Sequence, residues 1–130
     1  MNSILINDEN MKILHYNINN MKKIIIAFDV DWTLIKSEPY WECNYIPNNR
    51  ICHLLEILYS FKNVKIIVWS WWGKKHSERA VEVCNLTKFV SKNKCYSKDW
   101  QDKPTFSIDI AIDDIHKCDL WNINLIVKEK

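Results

Sequence analysis

The feature that most constrains the fold is an apolar run that ends in alternating polar residues. Residues 24–28 read Ile-Ile-Ile-Ala-Phe and predict a buried β-strand. Asp29, Asp31 and Thr33 then follow at every second position, where the strand should end. Because alternate residues of an extended chain share a face, their side chains are expected to start out pointing the same way. Neighbouring carboxylates repel each other unless a cation balances them, and hard oxygen ligands suit Mg²⁺ paired with substrate phosphate.

Composition narrows the kinds of site that the chain can carry. Its 130 residues suffice for one domain with its own core, and the single glycine, Gly73, excludes a glycine-rich phosphate loop. Five cysteines without a C-x-x-C pair predict buried thiols in a reducing, cytoplasmic setting. The four histidines are isolated, so a His-based metal site is not expected. No stretch is apolar and long enough to span a membrane, and residues 1–20 lack a signal-peptide pattern.

Strand and helix patterns alternate along the chain. After the first strand, further strands are predicted at residues 64–69, 93–97, 108–112 and 122–127. Helices are predicted after Asn48 or Asn49 and over residues 74–86, from apolar spacing and capping residues. This alternation implies parallel crossovers, so we expect an α/β fold, a three-layer Rossmann-like sandwich with a mainly parallel sheet. Residues 1–20 are weakly patterned and are expected to be an N-terminal extension of a domain at 21–130.

The polar residues of interest fall at the predicted strand ends. In chain order these residues are Asp29, Asp31 and Thr33, then Ser70, then Lys98, then Asp113 and Asp114. In parallel α/β sheets, ligands bind beyond the carboxyl ends of the strands. This coincidence of position predicts that the residues share one site.

Their order resembles the motifs of the haloacid dehalogenase (HAD) superfamily of phosphohydrolases: D-x-D-x-T/V, a Ser or Thr, a Lys and an acidic pair. The resemblance covers roughly residues 21–127. It implies a Mg²⁺-dependent phosphomonoester hydrolase in which Asp29 is the nucleophile and forms an aspartyl-phosphate. Asp31 would protonate the leaving oxygen and then activate water, and its main-chain carbonyl would reach the metal.

The later motifs would bind the phosphoryl group and the metal. Ser70 would donate a hydrogen bond to a phosphoryl oxygen, and a lysine would neutralise charge in the transition state. Lys98, at a strand end, is preferred for that role, but Lys103, before a proline, is a second candidate and is expected to contact substrate. Asp113 would complete the Mg²⁺ shell, and Asp114 would either join it or cap the next turn.

Tryptophans occupy positions where small residues are common in the HAD superfamily. Trp32 lies between Asp31 and Thr33, and Trp71 and Trp72 follow the serine of the second motif. They narrow the entrance to the site, where Trp71 and Thr33 are candidate substrate contacts. The two adjacent tryptophans would either stack on a nucleobase or pack against the loop at 35–47, and packing is the more common role of such residues.

Loop lengths bear on the substrate. The separations between residues 29 and 70 and between residues 70 and 98 leave room for a loop and a helix, so no separate cap domain is expected. A site without a cap, flanked by tryptophans, favours nucleotides or nucleic-acid ends as substrates. Sugar phosphates and phosphoproteins are further candidate substrates. The net charge of +2 is spread along the chain and does not favour nucleic acid. No obligate protein partner is evident.

The order of the residues also bears on three other classes of protein. A response-regulator receiver would need its phosphorylated aspartate on the middle strand and its lysine near the last one, whereas residues 64–69 contain no aspartate and the acidic pair comes after Lys98 and Lys103. A dehalogenase has no leaving oxygen to protonate, so Asp31 favours phosphoryl chemistry. A catalytically silent HAD-like module that binds phosphate or a partner is the remaining alternative, although such a module tends to lose Asp29 or Asp31.

Overall fold

The computed structural model describes residues 2–5, 12, 23–36, 45–113 and 121–126. The strands are β1 (Asn2–Leu5), β2 (Ile24–Asp29), β3 (Val64–Ser70), β4 (Cys95–Ser97), β5 (Ile108–Asp113) and β6 (Trp121–Ile126). The α-helices are α1 (Asn49–Tyr59) and α2 (Lys74–Val83), and short 3₁₀ turns lie at Lys92–Lys94 and Trp100–Asp102. Within these residues, no helix combines the length and hydropathy needed to cross a bilayer.

All six strands form one parallel sheet in the order β1-β6-β5-β2-β3-β4. The predicted α/β class and parallel sheet are therefore confirmed. β1 lies within the segment predicted as an N-terminal extension, and it is an edge strand paired with β6. The strand of the first motif, β2, lies between β3 and β5, with Phe28 opposite Val68 and Ile112. The carboxyl ends of these three strands consequently meet at one edge of the sheet.

Apolar residues of β2 alternate between two hydrophobic clusters, as the period of a strand requires. Ile24, Ile26 and Phe28 belong to the larger cluster, which also contains the apolar faces of both helices. Ala27 lies in a smaller cluster on the opposite face, together with Trp69 and other residues of β3 and β5. A parallel sheet buried on both faces explains why its central strands are almost continuously apolar.

Helix α2 ends at Val83, earlier than the predicted end at residue 86. Asn85 adopts a left-handed conformation with φ of 59°. The amides of Asn85 and Leu86 donate to the carbonyls of Glu82 and Val81. This pair of bonds is a Schellman motif, in which asparagine takes the position usually held by glycine. Leu86, which follows Asn85, is buried.

The described cysteines are small buried residues, as predicted. Cys52, Cys84 and Cys95 are all free thiols in the interior. The sulfur atoms of Cys52, in α1, and Cys84, the residue after α2, lie 3.8 and 3.6 Å from the carbonyl oxygen of Leu34 in the loop that follows β2.

Candidate functional site

A buried lysine joins two carboxylates at the carboxyl edge of the sheet. Asp29 is the last residue of β2 and Asp113 the last of β5, and Lys98 directly follows β4. The Nζ atom of Lys98 lies 2.8 Å from Oδ1 of Asp29 and 2.7 Å from Oδ2 of Asp113. The side chains of Lys98 and Asp113 are fully buried, and that of Asp29 is 7% exposed. Residues from three separate strands thus converge on one point.

The electrostatic balance of this cluster keeps the lysine charged. Burial by itself lowers the pKa of Lys98, because it disfavours the ammonium ion. The negative charges of Asp29 and Asp113 outweigh burial, and they raise the pKa above the ordinary lysine value. Two carboxylates and one ammonium leave the three side chains with one net negative charge. The cluster therefore retains an electrostatic attraction for a further cation.

Ser70, at the end of β3, connects the cluster to the turn that follows. Its Oγ atom lies 3.0 Å from the main-chain nitrogen of Trp72 and accepts that hydrogen bond, while its carbonyl accepts the amide of Lys98 at 2.9 Å. A hydroxyl that accepts one bond still has its own proton to donate. The Oγ1 atom of Thr33, also buried, lies 3.5 Å from Oδ2 of Asp29. The Thr33 hydroxyl is thus located beside the Asp29 carboxylate, and Ser70 is joined to Lys98 through its main chain.

Asp31 has a different set of partners from Asp29. Its Oδ1 atom lies 2.9 Å from Nε2 of His76, in the first turn of α2, and Nδ1 of the same ring lies 2.9 Å from the Tyr45 hydroxyl. The Asp31 side chain is 16% exposed and that of His76 is 8% exposed. Asp31 is therefore the more accessible of the two motif carboxylates and is held from the side of α2.

Two tryptophan rings lie close to the Lys98 ammonium. The Trp71 ring centroid lies 5.5 Å from Nζ of Lys98, and that of Trp69 lies at 5.6 Å on a buried side chain. Trp71 is 46% exposed and Trp72 is 54% exposed, so neither is packed away in the core. Trp32 is partly buried and has a positive φ of 60°, a conformation that costs a non-glycine residue about 1–2 kcal/mol. A strained residue thus separates Asp31 from Thr33.

The donors present agree with the chemistry of Mg²⁺, although the described residues include no preassembled group of three or more acidic, His or Cys side chains. Asp29 and Asp113 reach the same ammonium from adjacent strands, which shows that their oxygens converge. Mg²⁺ is commonly held by one or two protein carboxylates, with water and substrate oxygens as its other ligands. Asp114, the other expected metal ligand, lies outside the described residues.

The structure distinguishes the two candidate lysines. Lys98 contacts both carboxylates, whereas Lys103 is exposed, and no described ion pair joins it to Asp29, Asp31 or Asp113. The sequence reasoning missed His76 and Tyr45. A usable signal for the histidine was its place three residues after Gly73, in the first turn of the helix that follows β3, since that turn begins at the same edge of the sheet. Tyr45 carried no comparable signal.

Comparison of the chain with protein-family models, with curated proteins and with solved structures returns no match. Any assignment of function therefore depends on the residues and geometry of the chain itself.

Proposed function

We propose that the chain is a Mg²⁺-dependent phosphomonoester hydrolase of the HAD type, with a three-layer Rossmann-like fold and no separate cap domain. The observation that carries this proposal is the convergence of Asp29, Asp113 and Lys98 at one edge of the sheet. Asp31 follows two residues after Asp29 and is held by His76. Carboxylates buried at strand ends cost stability, and a chain that needed only structure would place apolar residues there. A site that binds phosphate and a cation accounts for them.

Each residue has a role in the proposed reaction. A carboxylate oxygen of Asp29 attacks phosphorus and forms the aspartyl-phosphate as the ester bond breaks, and Asp31 gives a proton to the leaving oxygen. Asp31 then takes a proton from water, which attacks phosphorus, releases phosphate and regenerates Asp29. Lys98 and the Ser70 hydroxyl stabilise the phosphoryl oxygens. A bound Mg²⁺, held by Asp29, Asp113 and the carbonyl of Asp31, would supply positive charge that reduces repulsion between nucleophile and phosphate.

The exposed tryptophans support a substrate with an aromatic group. Trp71 lies beside Lys98 and is 46% exposed, so a phosphate bound at the lysine would place the rest of its molecule near the indole ring. Stacking of a base on an aromatic side chain is worth about 1–3 kcal/mol. Nucleotides and nucleic-acid ends are therefore the proposed substrates, and phosphorylated sugars are the comparison class.

The first test is phosphate release from an aryl phosphate with and without Mg²⁺. Asp29→Asn should abolish turnover, and EDTA should do the same to the unaltered protein. The matched control is Asp102→Asn, which makes the same chemical change at an exposed residue of a 3₁₀ turn. Release that persists in Asp29→Asn would exclude the aspartyl-phosphate route.

Substrate class is tested by comparing Trp71→Ala with Tyr59→Ala, since both parent residues are 46% exposed and Tyr59 lies at the end of α1. Trp71→Ala should raise KM for a nucleotide by about tenfold or more, and it should leave KM for a sugar phosphate unchanged. An equal effect on both substrates would argue against base stacking.

A catalytically silent phosphate-binding module is the second candidate, because Lys98 already neutralises much of the carboxylate charge. Such a module would bind inorganic phosphate without turnover, and Lys98→Met would abolish the binding. Calorimetric titration of phosphate beside the turnover assay separates the two candidates.

A further inference from the structure

We propose that His76 and Tyr45 are positioning residues that hold the Asp31 carboxyl group so that its Oδ2 atom is the one that transfers the proton. The inference rests on the proposed phosphatase function and deepens it. It starts from a chain of two hydrogen bonds, each 2.9 Å long, that runs from the Tyr45 hydroxyl to Nδ1 of His76 and from Nε2 to Oδ1 of Asp31.

The direction of both hydrogen bonds follows from what each group can donate. In the ionised form that Asp31 has after it gives up its proton, the carboxylate only accepts, so Nε2 of His76 carries the proton that bridges to Oδ1. In a neutral imidazole the other nitrogen, Nδ1, is then an acceptor, and the Tyr45 hydroxyl can satisfy it. Tyr45 thus selects the Nε2–H tautomer of His76 by supplying the donor that Nδ1 needs. Both ring nitrogens of His76 then have a partner of the right type.

This arrangement makes the two oxygens of Asp31 unequal. Oδ1 accepts the Nε2–H of His76, so a proton taken up by the carboxyl group is directed to Oδ2. The geometry therefore assigns Oδ2 to proton delivery and to the later activation of water, with Oδ1 as the anchored atom. Because a general acid must lie within hydrogen-bond reach of the atom that it protonates, an anchor that restricts rotation of the carboxyl group increases the fraction of productive orientations.

The three residues come from separate parts of the chain. Asp31 follows β2, Tyr45 precedes α1, and His76 is the third residue of α2. His76 is 45 positions from Asp31 and 31 positions from Tyr45. The Tyr45 and His76 rings also pack against each other, with centroids 5.4 Å apart and planes inclined by 48°. Packing together with hydrogen bonding restrains the imidazole in two ways.

The kinetic test uses three variants and two substrates. His76→Leu removes the donor, Tyr45→Phe removes only the outer hydrogen bond, and His76→Gln retains a side-chain N–H group. The substrates are 4-nitrophenyl phosphate, whose leaving group departs without protonation, and an alkyl phosphate, whose leaving oxygen needs a proton. His76→Leu should lower kcat/KM about tenfold or more for the alkyl phosphate. This loss is part of the rate enhancement of about 10²–10⁴-fold that a positioned general acid typically supplies. It should have little effect on the nitrophenyl ester.

Two comparisons separate positioning from a general structural role. For the alkyl phosphate, kcat/KM of the His76→Gln variant should exceed that of His76→Leu. The value for Tyr45→Phe should lie between those of His76→Gln and the unaltered protein. In the Asp31→Asn background, His76→Leu should cause no further loss, because a residue that acts through Asp31 has nothing left to position. Equal losses for both substrates, or additive losses in the double variant, would overturn the inference.

A spectroscopic measurement provides a readout that does not depend on turnover. Long-range ¹⁵N–¹H correlation of the imidazole should show His76 as the Nε2–H tautomer, and Tyr45→Phe should shift the Nδ1 resonance. An Nδ1–H tautomer would overturn the assignment of Oδ2. If the unaltered protein releases no phosphate, the proposed function itself fails, whereas an active enzyme indifferent to His76→Leu refutes the positioning role alone.

Discussion

Replacement of Lys98 by methionine is expected to destabilise the fold strongly at neutral pH and much less in mild acid. Methionine has a similar length and no charge, so the change leaves packing nearly intact and removes the ammonium that lies 2.8 Å from Asp29 and 2.7 Å from Asp113. Two buried carboxylates would then lack their common counter-charge. Removal of one partner from a buried ion pair typically costs about 3–5 kcal/mol.

The same magnitude follows from the charge of the cluster. In the unaltered protein the three side chains carry one net negative charge. Loss of the ammonium leaves two negative charges, and uptake of a proton by one carboxyl group brings the net charge back to one. Protonating a group with an ordinary pKa of about 4 costs about 4 kcal/mol at pH 7 and about 1.4 kcal/mol at pH 5. The variant should therefore lose about 4 kcal/mol of unfolding free energy at pH 7 and about 1–2 kcal/mol at pH 5.

The sign of the pH dependence is set by the variant alone. In the unaltered protein, burial lowers the pKa of Lys98, but the attraction of Asp29 and Asp113 outweighs burial and raises this pKa. The stability that the Lys98 charge contributes is therefore fully present below about pH 10.4. It is lost only as the pH rises through the folded-state pKa. In the variant, the proton that Asp29 and Asp113 would share should bind the folded chain more tightly than the unfolded chain. The stability that this proton contributes is therefore present at low pH and is lost as the pH rises.

Urea denaturation in EDTA, at pH 5 and pH 7, measures the difference. The control is Lys88→Met, at an exposed residue, which should change the unfolding free energy by less than about 0.5 kcal/mol at either pH. A Lys98→Met variant that loses less than about 1 kcal/mol at pH 7, or the same amount at both pH values, would refute the reasoning. Addition of Mg²⁺ should reduce the loss if the carboxylates bind the cation.

Three further perturbations test the fold around the site. Gly73→Ala should cost about 1–3 kcal/mol in urea denaturation, since φ at Gly73 is 105° although a Cβ atom would meet no neighbour within 4 Å; an unchanged midpoint would mean that the turn rearranges freely. Leu55→Ala, at a fully buried residue of α1, should lower the unfolding free energy by about 2–5 kcal/mol, and a loss below 1 kcal/mol would contradict the packing described. Burial raises the pKa of Cys95 to about 11. Its thiol should therefore react with iodoacetamide at pH 8 about a hundredfold more slowly than in the unfolded chain, measured by mass spectrometry, and equal rates would contradict burial.

Local patterns account for what the sequence predicted well. An apolar run followed by alternating polar residues located β2 and placed Asp29 at its end, and an apolar run followed by two adjacent aspartates placed Asp113 at the end of β5. Since strands joined by helical crossovers run parallel, their carboxyl ends meet at one edge whatever the details of packing. The proximity of Asp29 and Asp113 was therefore predictable from a single chain.

Local patterns did not predict where the second helix ends. The 74–86 segment was predicted as one helix because its apolar spacing continues, yet Asn85 ends the helix by adopting a left-handed conformation. Asparagine tolerates that conformation but does not require it, so the sequence by itself did not specify the stop.

The sequence by itself determined the strands from β2 to β6, their parallel arrangement and the edge at which the acidic residues gather, because these depend on periodicity and on the handedness of crossovers. It did not predict the edge strand β1. Only the tertiary structure decided that Lys98, rather than Lys103, enters the space between the carboxylates, and that His76 and Tyr45 hold Asp31. Those contacts join residues far apart in the chain. Their distances depend on how loops and helices pack against the sheet, and no repeating sequence pattern encodes that packing.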